Sequence, residues 1–312
     1  MYSLLFTVIC FWCVTVTAAA PPILLPTPKG PYEEKLVEYG AYNGTVLQGL
    51  LVYHKSIFPK KATPAVIVFH AFTGRTEFEN QKARDLAKTK IKMSRLELGY
   101  VAFAADVYGK GVATNDTNAN FAIMGQLLAE RTTTLQRRVR DAWNYVKSLS
   151  YVKDQKIGCT GYCFGGLTCL DLARFDVGLQ AAVSFHGTLT NYPGNNASIG
   201  ASVQAHHGDI DPHTTNQNVS DTVHSNPTIS CIRYVMHEST LQAAEFLDEM
   251  RARQADWHFT SYADAQHAFT VPCREILAGA ANWGIPGAAY NEKADKRAHR
   301  AMEGFLAEKL LN

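Results

Sequence analysis

A chain of 312 residues with 46% hydrophobic and 19% charged residues is long and apolar enough to bury one large core or two small ones. Its formal net charge of +2 is spread along the chain, and the cluster Lys88, Lys90, Lys92 and Arg95 reads as a solvated helix face. That balance argues against a nucleic-acid-binding module.

The first twenty residues stand apart from the rest. Leu4 to Val16 is nearly all apolar and Ala18-Ala19-Ala20 precedes Pro21-Pro22, the layout of a signal peptide over 1–20 cut after Ala18 or Ala19. This apolar core is short and diluted by Thr and Cys, and no later segment is long enough to cross a bilayer. The expectation is a protein exported through the secretory pathway without a stable membrane span. Glycosylation sequons at Asn43, Asn115, Asn196 and Asn218 fit that route, whereas Asn226 is followed by Pro227 and is excluded. Cys10 and Cys13 leave with the signal, so Cys159, Cys163, Cys169, Cys231 and Cys273 remain, an odd number in an oxidising compartment. A free, reactive Cys163 accounts for the odd thiol, with Cys159 and Cys169 read as small buried hydrophobes.

Past the leader, Lys35 to Tyr39 and Val46 to Tyr53 read as an entry hairpin turning at Tyr42-Asn43-Gly44. Ala65 to Phe69 is the short apolar run of a buried parallel strand. A long helix is expected from about Glu77 to Leu98, with an insertion near 89–96, then a strand from Tyr100 to Ala105. Thr132 to Lys147 carries Leu135, Val139, Ala142, Trp143 and Val146 at helical spacing. A strand through Lys156 to Thr160 follows at once. Further strands fit Ala181 to Phe185, Ser202 to Ala205 and Trp257 to Tyr262, with helices near Leu241 to Gln254 and Glu292 to Leu311. A second insertion, 214–240, is long for a compact domain and contains Asn218, Pro227 and Cys231. Strands alternating with helices predict one α/β domain over 21–312, a doubly wound, mainly parallel sheet with helices on both faces.

Chemistry concentrates at three of the predicted strand ends. In Gly161-Tyr162-Cys163-Phe164-Gly165-Gly166 a single cysteine sits between glycines where strand gives way to helix, the pattern of a nucleophile elbow. The glycines permit close backbone approach, and the N–H groups opening the next helix favour a thiolate and an oxyanion. The loop His206-His207-Gly208-Asp209-Ile210-Asp211 offers two carboxylates, and Tyr262-Ala263-Asp264-Ala265-Gln266-His267 offers an imidazole. Cys163, Asp211 and His267 follow the chain order nucleophile, acid, base. His258 and His237 compete with His267 as base. His70, His186, His206, His207 and His213 lie in separate loops without metal-ligand spacing, so neither a metal nor a cofactor is expected.

Together with Phe185-His186-Gly187, Gln266-His267-Ala268-Phe269, Ala105 to Gly111 and Tyr290 to Asp295, these motifs resemble the dienelactone hydrolase family of α/β-hydrolases from about Tyr32 to the C-terminus. The resemblance implies hydrolysis of a small-molecule ester or lactone through a thioester acyl-enzyme. Cys163 is then the nucleophile, His267 the base and Asp211 the acid that orients it. It also implies oxyanion donors at the N–H groups of Phe72 and Phe164, and a pocket shaped by Phe72, Tyr108 and His186. Two departures bear on the substrate. Ala71 stands where bacterial relatives carry a Glu that controls the thiol, leaving Glu77 or Glu79 as stand-ins, and Lys110 falls where a basic residue would hold a substrate carboxylate. A non-catalytic secreted binder and a cysteine peptidase are the alternatives.

Overall fold

The computed structural model describes residues 30–57, 63–88, 91–93, 96–175, 177–214, 242–272 and 285–311. The leader, Asn218, Cys231, Cys273 and residues 215–240 of the second insertion lie outside them. The entry hairpin is β1 (Tyr32–Tyr42) and β2 (Thr45–His54), turning at Asn43 and Gly44, both at positive φ. After it come β3 (Thr63–Phe69), α1 (Glu77–Lys88), a small antiparallel pair β4 (Ile91–Met93) and β5 (Leu96–Leu98), and β6 (Val101–Ala105). Next are α2 (Thr117–Ala129), α3 (Gln136–Ser148), β7 (Val152–Tyr162) and α4 (Phe164–Arg174). The chain continues through β8 (Ala181–Phe185), β9 (Ser202–Gly208), α5 (242–252), β10 (Asp256–Tyr262) and α6 (Glu292–Leu311).

Eight strands form one sheet in the order β1-β2-β6-β3-β7-β8-β9-β10. Only β1–β2 and β2–β6 are antiparallel; every other pairing is parallel, as the alternating sequence pattern predicts. Side-chain alternation along the central strands divides the core. Ala65, Ile67 and Phe69 of β3 join Trp143 of α3, Leu170 of α4 and Phe246 of α5 on one face. Val66 and Val68 join Phe78 of α1 and Phe305 of α6 on the other.

Three expectations change. The long helix stops at Lys88, because the chain doubles back so that the Tyr100 N–H bonds to the Leu86 carbonyl at 3.2 Å. A Cβ on Gly99 would stand 1.9 Å from the Ala87 carbonyl oxygen, so only glycine fits that return. Helix α2 had no counterpart in the sequence pattern: of its residues only Asn120 and Leu127 are buried, too few to make an apolar stripe. Its start signal is Asp116, whose carboxylate accepts the Ala119 N–H at 2.9 Å. Finally, Cys159 of β7 and Cys169 of α4 are not independent hydrophobes but a buried disulfide. Both face the layer between strand and helix, where ten residues of chain fold back on themselves.

The helix that carries the elbow is anchored at its far end by buried charge. Arg131, in a π-turn before α3, forks onto both Asp171 oxygens at 2.7 Å. Arg174 reaches Asp171 and Glu249, and Arg253 also bonds Glu249. With the Arg174 side chain 1% exposed, Glu249→Ala would leave its Nε and Nη2 buried without their carboxylate, only Nη1 keeping Asp171. The expected loss of unfolding free energy is about 3–5 kcal/mol, read from urea melts; a change near zero would mean that solvent reaches Arg174.

Candidate active site

At the end of β7 the chain turns on Cys163, which adopts φ 55° and ψ −117° as the residue before α4. A β-carbon-bearing residue is strained there, and the neighbours hold it in place. Its N–H donates to the Phe185 carbonyl at 3.0 Å and to His186 Nδ1 at 3.2 Å. Because Nδ1 accepts, His186 carries its proton on Nε2 and donates it to the Thr270 hydroxyl at 2.8 Å. Added Cβ atoms would fall 1.9 Å from the Gly165 oxygen at Gly161 and 2.2 Å from the Phe69 oxygen at Gly165. The elbow glycines are therefore required for close approach, as the motif suggested. Cys163 is the one free cysteine among the described residues, and it is partly exposed.

His267 leaves β10 through a tight turn and is pinned on both sides. Its N–H donates to the Gly287 carbonyl and its own carbonyl accepts the Ala289 N–H, each at 3.0 Å. The ring Nδ1–H donates to Asp211 Oδ2 at 2.8 Å, while the His213 N–H occupies Asp211 Oδ1 at 2.8 Å. Asp211 is 1% exposed. Burial works against its charge, but the positive charge and hydrogen bond of His267 prevail and hold the carboxyl below its ordinary range. Burial likewise works against charge on His267, yet the negative charges of Asp211 and Cys163 and its hydrogen bonds to both raise it well above the ordinary imidazole value. Cys163, His267 and Asp211 thus form one coupled unit. Asp209, the rival acid, lies instead on the exposed side with Ser261. His258, the rival base, packs on Phe305 on the α6 face; His237 lies outside the described residues.

The first loop after β3 is held from below. Tyr108 donates to the Phe72 carbonyl at 2.9 Å, and Arg138 donates to the carbonyls of Val107 and Tyr108 at 2.8 Å. His70 Nε2 accepts the Val107 N–H at 3.1 Å, so its Nδ1–H donates to the Ala71 carbonyl at 2.7 Å. Burial keeps His70 and His186 below the ordinary imidazole range, so both stay neutral. Tyr108 and His186, expected to shape the pocket, are both fully buried. Phe72 and Phe164 are nearly buried, and Phe164 opens α4, where its N–H has no intrahelical partner.

Of the two stand-ins for the glutamate missing at Ala71, Glu77 is exposed and paired with Arg84. Glu79 is buried and binds the loop itself. Its Oε1 accepts the Ala71 N–H at 3.3 Å and its Oε2 accepts the Thr76 N–H at 2.8 Å, a capping box at the start of α1. Lys110 lies at the surface and bonds Glu38 at 2.7 Å. Sequence reasoning overlooked Phe121 of α2, which stacks on Phe72 with ring centroids 4.4 Å apart. It also overlooked Arg138 and Thr270, whose partners lie far away in sequence. His206 and His207 point to opposite faces of β9, one against Tyr262 and the other against Phe259. Among the described residues no group of three His, Cys, Asp or Glu side chains is placed to hold a metal, and no helix is long and apolar enough to cross a membrane.

A mainly parallel sheet with a cysteine elbow after β7, an acid after β9 and a histidine after β10 defines an α/β-hydrolase. The model of the dienelactone hydrolase family matches residues 52–228 and 236–310. The chain belongs to that family and is an ester or lactone hydrolase of the dienelactone hydrolase type. It is 35% identical over 185 residues to an uncharacterized protein of Caenorhabditis elegans, an alignment covering 58% of this chain and 98% of that one. Over 147 residues it is 31% identical to a candidate carboxymethylenebutenolidase of Aquifex aeolicus, covering 46% of this chain and 58% of that protein. Among solved structures it resembles a dienelactone hydrolase-like promiscuous phosphotriesterase from metagenomic libraries. There the TM-score is 0.71 at 27% identity, covering 90% of this chain and 99% of that one.

Proposed function

We propose that the chain cleaves its ester or lactone through Cys163, His267 and Asp211, with a thioester acyl-enzyme between two half-reactions. The observation that carries this reading is the placement of His267, bonded to Asp211 and coupled to Cys163 at the strained elbow. The Cys163 thiolate adds to the carbonyl carbon, and the oxyanion is received by the N–H groups of Phe72 and Phe164. As the tetrahedral species collapses, the C–O bond breaks and the alkoxide takes the proton of the His267 imidazolium. Water then gives a proton to neutral His267 and attacks the thioester, and the C–S bond breaks to return the thiolate. Throughout, Asp211 holds the ring with Nε2 toward the sulfur. The test is a screen of short and long p-nitrophenyl esters run beside titration of Cys163 with iodoacetamide. Hydrolysis should vanish in step with alkylation; activity that survives full alkylation of Cys163 rules the mechanism out.

The same reading takes the chain through the secretory pathway as a glycoprotein. In support, the Cys159–Cys169 disulfide needs an oxidising compartment, and Asn43, Asn115 and Asn196 are all exposed. Expressed in eukaryotic cells, the protein should appear in the medium and run faster on a gel after removal of N-glycans. Retention in the cytosol with unmodified sequons would contradict this.

A further inference from the structure

One imidazole beside the triad has no part in the mechanism above. His213 follows Asp211 by two residues, in the short turn Pro212–Thr214. Its backbone N–H takes the Asp211 oxygen that His267 leaves, and its ring lies edge-on to that of His267 with centroids 5.3 Å apart. Its Nε2 contacts the Pro286 carbonyl, which can only accept, so the proton sits on Nε2. That nitrogen is therefore committed to the backbone and is not available as a second base.

Pro286 precedes Gly287, the residue whose carbonyl receives the His267 N–H. Gly287 has φ +79°, and a Cβ there would stand 2.1 Å from Cγ of Pro212. The acid loop and the segment that flanks His267 are thus in direct contact, with no room for a side chain between them. The bonds close a circuit from Asp211 through His213, Pro286 and Gly287 to His267, and back to Asp211. Burial and the nearby charge of His267 hold His213 below the ordinary imidazole range, so it does not compete with His267 for the carboxylate.

We propose that His213 is a positioning residue of the triad, clipping the acid loop to the 285–289 segment so that the carboxylate and the imidazole are set as one unit. This rests on the triad reading. The His213 ring supplies the side-chain hydrogen bond from the Asp211 turn to Pro286, beside the packing of Pro212 on Gly287, so removing it should loosen the aim of His267 without touching the substrate.

His213→Ala should lower kcat on p-nitrophenyl acetate on the order of 10- to 100-fold, the scale of a small misplacement of catalytic groups, with KM little changed. His213→Gln, whose amide N–H can reach the same carbonyl, should recover most of the loss. Gly287→Ala should reproduce the loss from the opposite side. Thermal melts of each variant establish that it is folded. Wild-type kcat in folded His213→Ala, or equal loss in the Ala and Gln variants, overturns the clip. Alkylation of Cys163 in the wild type, run in parallel, keeps the two readings apart: if hydrolysis survives it, the triad itself fails and the clip with it.

Discussion

Cys163→Ala is expected to abolish ester hydrolysis, with kcat falling on the order of 10⁴-fold or more, the scale seen when a triad nucleophile is removed. The fold should survive, because the elbow is held by the backbone bonds of Cys163 and by the packing of Gly161 and Gly165 rather than by the sulfur. Cys163→Ser should recover little. Its hydroxyl gives up a proton far less readily than a thiol. His267→Ala should match the nucleophile variant, whereas Asp211→Ala should cost less, since it orients the imidazole without touching the substrate. The measurement is kcat on p-nitrophenyl acetate against the uncatalysed rate. Full activity in Cys163→Ala removes the thioester mechanism, and equal tolerance of changes at His267 and Asp211 removes the triad.

The protein should also lose stability as pH falls below about 6.5, well above the range where carboxylates alone would act. Burial lowers five histidines, His70, His186, His206, His207 and His213, below their ordinary value, His206 to about 3. In the unfolded chain each binds a proton near pH 6.5, while in the fold it stays neutral. Unfolding therefore takes up protons, and stability is lost from about pH 6.5 down toward each lowered folded value. For His206 alone the loss reaches about 2 kcal/mol by pH 5, and the other four act in the same direction.

Two groups differ in sign. His267 is raised, so its contribution is complete below about pH 6.5 and fades only as pH rises through its folded value. Asp106, pushed up to about 6 by burial against the opposing N–H bonds of Gly109 and Tyr108, takes up a proton in the fold first and offsets part of the loss. Urea midpoints at pH 7, 6 and 5 should fall steadily, and His206→Phe, which keeps a ring against Phe185, should flatten the slope. A midpoint independent of pH across that span would mean that the buried histidines titrate freely.

The sheet was legible because its central strands are unbroken apolar runs, and the elbow was legible because glycines at fixed offsets leave a local signature. The Asp211–His267 pair was legible from chain order, since both residues lie just past strand ends. What supports them was not. His186 meets Thr270 across 84 residues, His213 meets Pro286 across 73 and Arg138 meets Val107 across 31, and no local pattern marks such pairs. Helix α2 was missed because it buries too little to show a period. The overlong helix after Glu77 failed for a different reason: local propensity at Lys88 gives no hint that Gly99 must pack on Ala87.

The Cys159–Cys169 bond sets a problem for oxidative folding. Cys163, the proposed nucleophile, lies between the bond's two partners in sequence, so these three cysteines can pair in three ways, and two of them consume Cys163. Only the pairing that skips the middle residue leaves the Cys163 thiol free. Forming strand and helix before oxidation selects it, because Cys159 and Cys169 then face each other in the core while Cys163 is turned outward on the corner. A chain oxidised before that layer forms can be trapped in either of the two pairings that block Cys163. Refolding under a thiol–disulfide buffer should therefore return more active enzyme than rapid oxidation of the same polypeptide.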